Sequence, residues 1–280
     1  MNNQIGIIGN GFVGGAVAYG FAHLNPLVYD ISPEKSPNTL EEIMDCKYVF
    51  ICLPTPMYDA GGGRANISTI TNFISSVTFN KDQVLILKST VPVGTTKILS
   101  EQYALPNLVH CPEFLTAANA NQDFVNADRT IVGGPEGQQC YTNMVADLFR
   151  KNFLDMPVYE MTSDESELVK YTSNCFLATK VMFFNQIRLL VDENPNIDWD
   201  TLLLGVLADP RIGKSHTDVP GPDGEYGFGG TCFPKDINAL IETMVENGIA
   251  PLLLNAVWEQ NKIIRKNWDW ADKSSAVSND

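Results

Sequence analysis

The chain has 280 residues, 44 % hydrophobic and 19 % charged, a globular composition with room for about two domains. Lys and Arg number 19 against 33 Asp and Glu, a net charge of −14, which argues against basic-patch binding to nucleic acid or to an anionic membrane. The six cysteines (46, 52, 111, 140, 175 and 232) have no CxxC spacing, the pattern of reduced thiols in a cytoplasmic protein, and no metal is expected.

The run from Ile5 to Ala22 has the apolarity of a secretion signal. However, Met1 to Gln4 carry no charged side chain, and glycines punctuate the run at turn-like spacing. No segment reaches the ~18 apolar residues of a membrane span. Residues 5–8 instead read as a strand that stops at Gly9, followed by a small-residue helix to about His23. Further strands are predicted at 27–30, 47–53, 83–88, 107–111 and 130–133, with helices near 40–45, 67–78, 94–102 and 136–150. Short apolar strands alternating with helices predict an α/β domain with a Rossmann-type parallel sheet over residues 1–160. From Asp164 to Glu193 there is no Gly or Pro and apolar residues recur at helical spacing. This predicts a long central helix, capped by Ser163, that opens an all-helical domain over 161–280. Helices at 199–208, 234–247 and 251–271 follow, with a Gly- and Pro-rich loop at 211–231 and a frayed tail from Ser274 to Asp280.

The first turn carries Gly9-Asn10-Gly11-Phe12-Val13-Gly14 between a strand and a helix. Gly9 makes the tight turn, Gly11 lets the backbone approach a pyrophosphate, and Gly14 permits close helix–strand packing, with Phe12 and Val13 at the helix N-terminus. Asp30, ending the next strand, suits the adenosine ribose hydroxyls and repels a 2′-phosphate, so NAD is the expected cofactor, with Lys35 nearby. Pro54, Thr55, Ser89 and Thr90 follow two further strands at the carboxyl edge of the sheet, where such ligands bind.

Three islands bear other chemistry. Cys111-Pro112-Glu113-Phe114-Leu115 follows a strand. Lys170 and Asn174 share one face of the long helix. In Gly227-Phe228-Gly229-Gly230-Thr231-Cys232-Phe233-Pro234-Lys235-Asp236, a cysteine lies where a glycine-rich loop enters a helix, with Pro234 near its first position. A helix N-terminus and Lys235 favour a thiolate there, so Cys232 reads as a nucleophile.

These ordered motifs, together with CLPTP, KSTVPVGTT and DPRIG, resemble the UDP-glucose/GDP-mannose dehydrogenase family over about residues 4 to 270. The resemblance implies NAD-dependent oxidation of the C6 primary alcohol of a nucleotide sugar to the acid, with cysteine thiohemiacetal and thioester intermediates at Cys232. It gives Glu113 the activation of water, Thr90 the placing of that water, Lys170 and Asn174 the oxyanion, and Asp236 proton transfer. Phe114, Leu115, Lys235 and the N–H groups of Gly227 to Gly230 would meet the substrate. Arg211 would reach the substrate of a neighbouring subunit, implying a homodimer through the helical domain.

Three departures stand out. Ala117 occupies a position where the family commonly has a second glutamate. The loop Lys214 to Tyr226 is longer and more polar than expected, as for a lid. The third nucleotide-binding domain usual in the family has no counterpart in this chain. A two-electron β-hydroxyacid dehydrogenase, with its own Lys/Asn helix pair and no cysteine, is the alternative enzyme. A non-catalytic dinucleotide-binding module is the third reading.

Overall fold

A computed structural model describes residues 4–116 and 118–278; Ala117, Met1 to Asn3, Asn279 and Asp280 lie outside the described residues. The chain divides into two compact units, residues 1–55 with 66–170, and residues 56–65 with 171–280.

In the first unit the apolar runs form β1 (Ile5–Ile8), β2 (Leu27–Tyr29), β3 (Tyr48–Ile51), β4 (Val84–Leu87), β5 (Leu108–His110) and β6 (Thr130–Gly134). A seventh strand, β7 (Val158–Thr162), was not legible as a strand; it is short, and its residues are half-buried or exposed. The order is β2-β1-β3-β4-β5-β6-β7, and the sheet is parallel except for β5 against β6. The chain leaves β1 for β2 and returns to the other side of β1 as β3, so the order reverses there. This is the switch point beside which ligands of such sheets bind.

Alternate residues of the buried strands enter two cores. Ile5, Ile7, Phe50, Ile86 and Val109 pack with Phe21 and Phe149 on one face. Ile8, Val49, Ile51, Leu85 and Leu87 pack with Ile43, Ile70 and Leu99 on the other. Burial on both faces explains why these strands read as continuous apolar runs. The helices between them are α1 (Phe12–Gly20), α2 (Leu40–Met44), α3 (Ser68–Ser76), α4 (Thr95–Gln102), α5 (Ala120–Val125) and α6 (Gln139–Asn152). The six-residue α5 buries only Phe124 and carries too few apolar positions to show a period.

Helix α7 (Ser163–Asp192) is the long helix expected from the absence of Gly and Pro. Its cap is Thr162 rather than Ser163. The Thr162 hydroxyl accepts the Glu165 N–H at 3.3 Å, and the Glu165 carboxylate accepts the Thr162 N–H at 2.8 Å, a reciprocal capping box.

The second unit contains the rest of α7, α8 (Trp199–Leu207), α9 (Cys232–Glu246) and α10 (Leu252–Ile264). Its main core joins Cys175, Ala178, Met182, Ile237, Trp258 and Trp270. Helix α9 starts two residues before Pro234, so Cys232 itself opens it. Helix α10 stops at Ile264 instead of running to 271, because the chain leaves helical geometry at Arg265 (φ −80°, ψ 116°). The Arg265 side chain is buried and bonds the carbonyl of Asn267 and the carboxylate of Asp269. The tail is also docked rather than frayed: Met57 donates to the Ala276 carbonyl and accepts from the Ser278 N–H, each at 2.7 Å, and Ala276 is buried.

The first turns of α7 hold the sheet edge. Ser166 Oγ lies 2.8 Å from His110 Nδ1, and burial presses that imidazole's pKa down to about 3. The fully buried Glu167 carboxylate accepts the N–H groups of Gly94 (2.6 Å) and Thr96 (2.8 Å) and the Thr96 hydroxyl (2.6 Å). It therefore caps α4 from another helix. Burial pushes its pKa up from 4.5 to about 7, against the opposing pull of those donors. A carboxyl that holds its proton to higher pH in the fold than in the unfolded chain favours the fold at acid pH. That contribution is lost as pH rises from 4.5 through about 7. Glu167→Gln removes this term. The stability of the native protein relative to Glu167→Gln should therefore fall, on the order of 2 kcal/mol, between about pH 5 and about pH 8. Denaturant titrations at both pH values that give a constant difference would contradict the assignment.

Candidate active site

At the switch point the glycines separate by cause. Gly9 has φ +92°, and a Cβ there would lie 2.5 Å from the Cys52 carbonyl oxygen. A Cβ on Gly14 would lie 1.8 Å from the Gly9 carbonyl oxygen. Both glycines are required by packing. A Cβ on the exposed Gly11 would meet nothing within 4 Å, so packing gives no reason for it. Phe12 and Val13 follow in the first turn of α1, whose N–H groups have no acceptor within the helix. Asp30 accepts from the Asn10 N–H at 2.7 Å and the Ser32 N–H at 2.9 Å. Partial burial opposes its ionisation, but those two N–H groups and Lys35 hold its carboxyl below the usual range.

The turns after β3 and β4 are stitched together. Ser89 Oγ donates to the Leu53 carbonyl at 2.6 Å and accepts the Leu53 N–H at 3.1 Å. Thr55 Oγ1 donates to the Thr90 carbonyl at 2.6 Å. Thr90 is buried and Pro54 exposed. Lys88, also buried, donates to the Pro112 carbonyl at 2.9 Å and faces Cys111 Sγ at 3.6 Å. Burial raises the Cys111 thiol pKa, and that of Cys52 to about 12, so both stay protonated.

Glu113 follows in the same turn. It is buried, its Oε1 accepts from Lys170 Nζ at 2.9 Å, and its Oε2 accepts the Leu115 N–H at 2.6 Å. Both side chains of this ion pair are at most 5 % exposed. The half-buried Phe114 ring lies under the ammonium of Lys170 at 5.3 Å and the guanidinium of Arg129 at 4.3 Å. Sequence reasoning gave Lys170 and Glu113 separate tasks; the fold bonds them to each other.

The second unit holds a second polar cluster. Asp236 is buried, accepts from Asn174 Nδ2 at 2.5 Å and pairs with the Lys235 ammonium. Cys232 lies one turn earlier on the same face of α9 and is half-buried. The glycine-rich loop differs from expectation. The N–H of Gly227 goes to Asn185 Oδ1 (2.8 Å), that of Phe228 to Asn261 Oδ1 (2.8 Å), and that of Gly230 to the Asp269 carboxylate (3.1 Å). Those three donors face inward, so of the expected row only Gly229 is not turned to a side chain in this way. The loop 214–226 is anchored in its own unit: Thr217 and Val219 are buried, Val219 packs with Phe184, Val191 and Trp199, and Tyr226 donates to Asp192 at 2.9 Å. Arg211 is exposed and pairs with Asp209 at 2.5 Å. The sequence reading gave no role to Glu167, which opens the Lys170 island, nor to Asn185, Asn261, Arg265 or Asp269. The one available signal was Glu167 standing three residues before Lys170. Among the described residues no group of His, Cys, Asp and Glu is placed to hold a metal ion, and no helix is long and apolar enough to cross a membrane.

Comparison with known proteins places this geometry. Residues 33–153 match the NAD binding domain of the UDP-glucose/GDP-mannose dehydrogenase family, and residues 164–263 match its central domain. UDP-glucose 6-dehydrogenase of Campylobacter jejuni is 32 % identical over 232 residues, 82 % of this chain and 56 % of that protein. The structure of a UDP-glucose dehydrogenase from Pyrobaculum islandicum superposes with a TM-score of 0.80 at 27 % identity, over 93 % of this chain and 68 % of that one. Mycobacterium tuberculosis 3-hydroxyisobutyrate dehydrogenase shares the fold, with a TM-score of 0.70 at 15 % identity over 94 % of both chains. The chain spans about half the length of the curated relatives it matches. With both its NAD binding domain and its central domain matched, the chain belongs to the UDP-glucose/GDP-mannose dehydrogenase family.

Proposed function

We propose that this protein oxidises the C6 primary alcohol of a nucleotide sugar of the UDP-glucose type to the uronic acid, using two NAD and one water. The observation that carries the reading is Cys232 at the opening of α9, one turn before a buried Asp236 held by Asn174 and Lys235. In this reading residues 1–160 bind the dinucleotide, and residues 161–280 carry the nucleophile and the dimer contact.

The chain fits the cofactor. Gly11 leaves open space before the free N–H groups of α1, and Asp30 keeps lone pairs for ribose hydroxyls while repelling a 2′-phosphate. Bound NAD supplies a hydride acceptor for each of the two oxidation steps. In the first step the alcohol loses a hydride from C6 and a proton from its oxygen, and Asp236 moves that proton through a water. The Cys232 sulfur then adds to the aldehyde carbon, its proton passing to the oxygen, to give a thiohemiacetal. Loss of the second hydride and of the hydroxyl proton leaves a thioester on Cys232. Glu113 takes a proton from a water that Thr90 helps to place, and the resulting attack breaks the carbon–sulfur bond. The acid and the thiol are released.

The Lys170 ammonium and the Asn174 amide are the groups this reading sets against the developing oxyanion, each oriented by its carboxylate bond. Phe114, Leu115, Lys235 and Gly229 are the remaining candidate substrate contacts. A homodimer is supported by Phe176, Phe183 and Leu190, which recur every seven residues on α7 and are 65 %, 57 % and 64 % exposed. Arg211 would then serve the neighbouring subunit.

The second reading is a two-electron β-hydroxyacid oxidation, an activity whose Lys/Asn helix pair would have its counterpart in Lys170 and Asn174 and whose fold this chain shares. A panel of UDP-glucose, UDP-N-acetyl sugars and GDP-mannose followed by NADH absorbance separates the two. Two NADH per sugar consumed are expected, and a ratio of one with any substrate supports the second reading. Cys232→Ser is expected to abolish acid formation while NAD affinity, read by fluorescence titration, stays within about twofold. Full turnover by that variant would exclude a thioester.

A further inference from the structure

We propose that Arg265 and Asp269 are positioning residues for Cys232, acting through the glycine-rich loop; this rests on the nucleophile reading given above. The loop from Gly227 to Thr231 leads straight into the cysteine that opens α9. Its backbone is not held by its own turn but by side chains from elsewhere in the unit. Asn185 of α7 takes the Gly227 N–H. Asn261 of α10 takes the Phe228 N–H and returns a bond to the Phe228 carbonyl at 3.0 Å. Asp269 takes the Gly230 N–H with both oxygens, at 3.2 and 3.1 Å, two residues before Cys232.

Asp269 is itself fixed. The Arg265 guanidinium, 2 % exposed, bonds its carboxylate at 3.0 Å, and Lys273 bonds it at 2.6 Å. Lys273, Arg265 and the Gly230 N–H together hold its pKa low against partial burial. The same guanidinium reaches Asp223 at 2.6 Å and the Asn267 carbonyl at 3.0 Å, so one buried cation ties loop 214–226 to the segment after α10. The pair presses directly on the loop. A Cβ on Gly229 would stand 2.2 Å from both Arg265 Nη2 and Asp269 Oδ1, and one on Gly227 2.4 Å from Asn261 Oδ1. These glycines are therefore needed by the clamp, and the early end of α10 at Arg265 is what brings the clamp into place.

A planar fork and a carboxylate fix direction as well as distance, which suits a device that aims a nucleophile. Displacement of a reacting group by about 1 Å costs on the order of a hundredfold in rate, so the clamp sets turnover without touching substrate.

The test uses the whole chain and reads Cys232 without any sugar. Carbamidomethylation by iodoacetamide is timed at Cys232 by peptide mass mapping in the native protein and in Asp269→Ala, Asp269→Asn and Arg64→Ala. Asp269→Ala should slow Cys232 modification at least about fivefold, because the thiol loses its fixed place at the helix N-terminus beside Lys235. Asp269→Asn, which keeps an acceptor for the Gly230 N–H, should restore most of that rate, and Arg64→Ala, which removes only an exposed pair with Glu246, should leave it unchanged. With sugar present, Asp269→Ala should lower kcat about tenfold or more while KM for NAD holds within about twofold. An unchanged modification rate in Asp269→Ala, or a loss that Asp269→Asn does not repair, overturns the proposal. Should Asp269→Ala fail to fold, Arg265→Lys, which keeps the charge and loses the fork, replaces it, and an unchanged rate there overturns the proposal equally. An NADH ratio of one would remove the thioester reading and leave this measurement standing on its own.

Discussion

Burying a charge is costly unless it is paired and its remaining hydrogen-bonding capacity is met, and the Lys170–Glu113 pair is built under that constraint. The Leu115 N–H meets the second oxygen of Glu113, which fixes the turn after β5 as well as the ion pair. Ser166 and Glu167, within a turn of Lys170, perform the same service for β5 and α4. One stretch of helix thus holds three pieces of the sheet edge through polar bonds, in an environment where losing any partner leaves a buried group unsatisfied. That edge carries Thr90 and Glu113 and lies on the side of the sheet where the order reverses beside β1.

The second unit follows the same logic with a different carboxylate. Asp236 is buried between Asn174 and Lys235, and Asp269 is held by Arg265 and Lys273. The apolar core around Trp258 and Trp270 sets where α9 and α10 stand, and the carboxylates set how the loop enters α9. Rigidity in both units comes from side-chain acceptors for loop N–H groups, at sites where regular secondary structure supplies none.

The alternation of apolar strands and helices, the Gly9–Gly14 turn with Asp30, and the long helix were legible because each rests on local periodicity or local turn chemistry. The candidate residues Cys232, Asp236, Lys170, Asn174 and Glu113 were legible as types in motifs, and Lys170 with Asn174 as neighbours on one helix. Their bonds were not. Glu113 and Lys170 are 57 positions apart, Asn174 and Asp236 62, and no local pattern encodes such pairs. The same reason hides Glu167 as the cap of α4 and Asp269 as the acceptor for Gly230. Element ends failed where a distant side chain decided them, as at Arg265, or where a partner strand did, as for β7 and for the tail beside Met57. The inward-facing N–H groups of the glycine-rich loop are a further case, since glycine marks freedom of the backbone but not the direction its donors take.

The central proposal is that Cys232 holds the oxidised sugar as an acyl group until Glu113 activates water. Intact-protein and peptide mass spectrometry of Glu113→Gln, quenched after incubation with UDP-glucose and NAD, tests it most directly. A uronyl adduct confined to Cys232, absent when NAD is omitted, is the expected result. Acid formation with Cys232 unmodified throughout would contradict it.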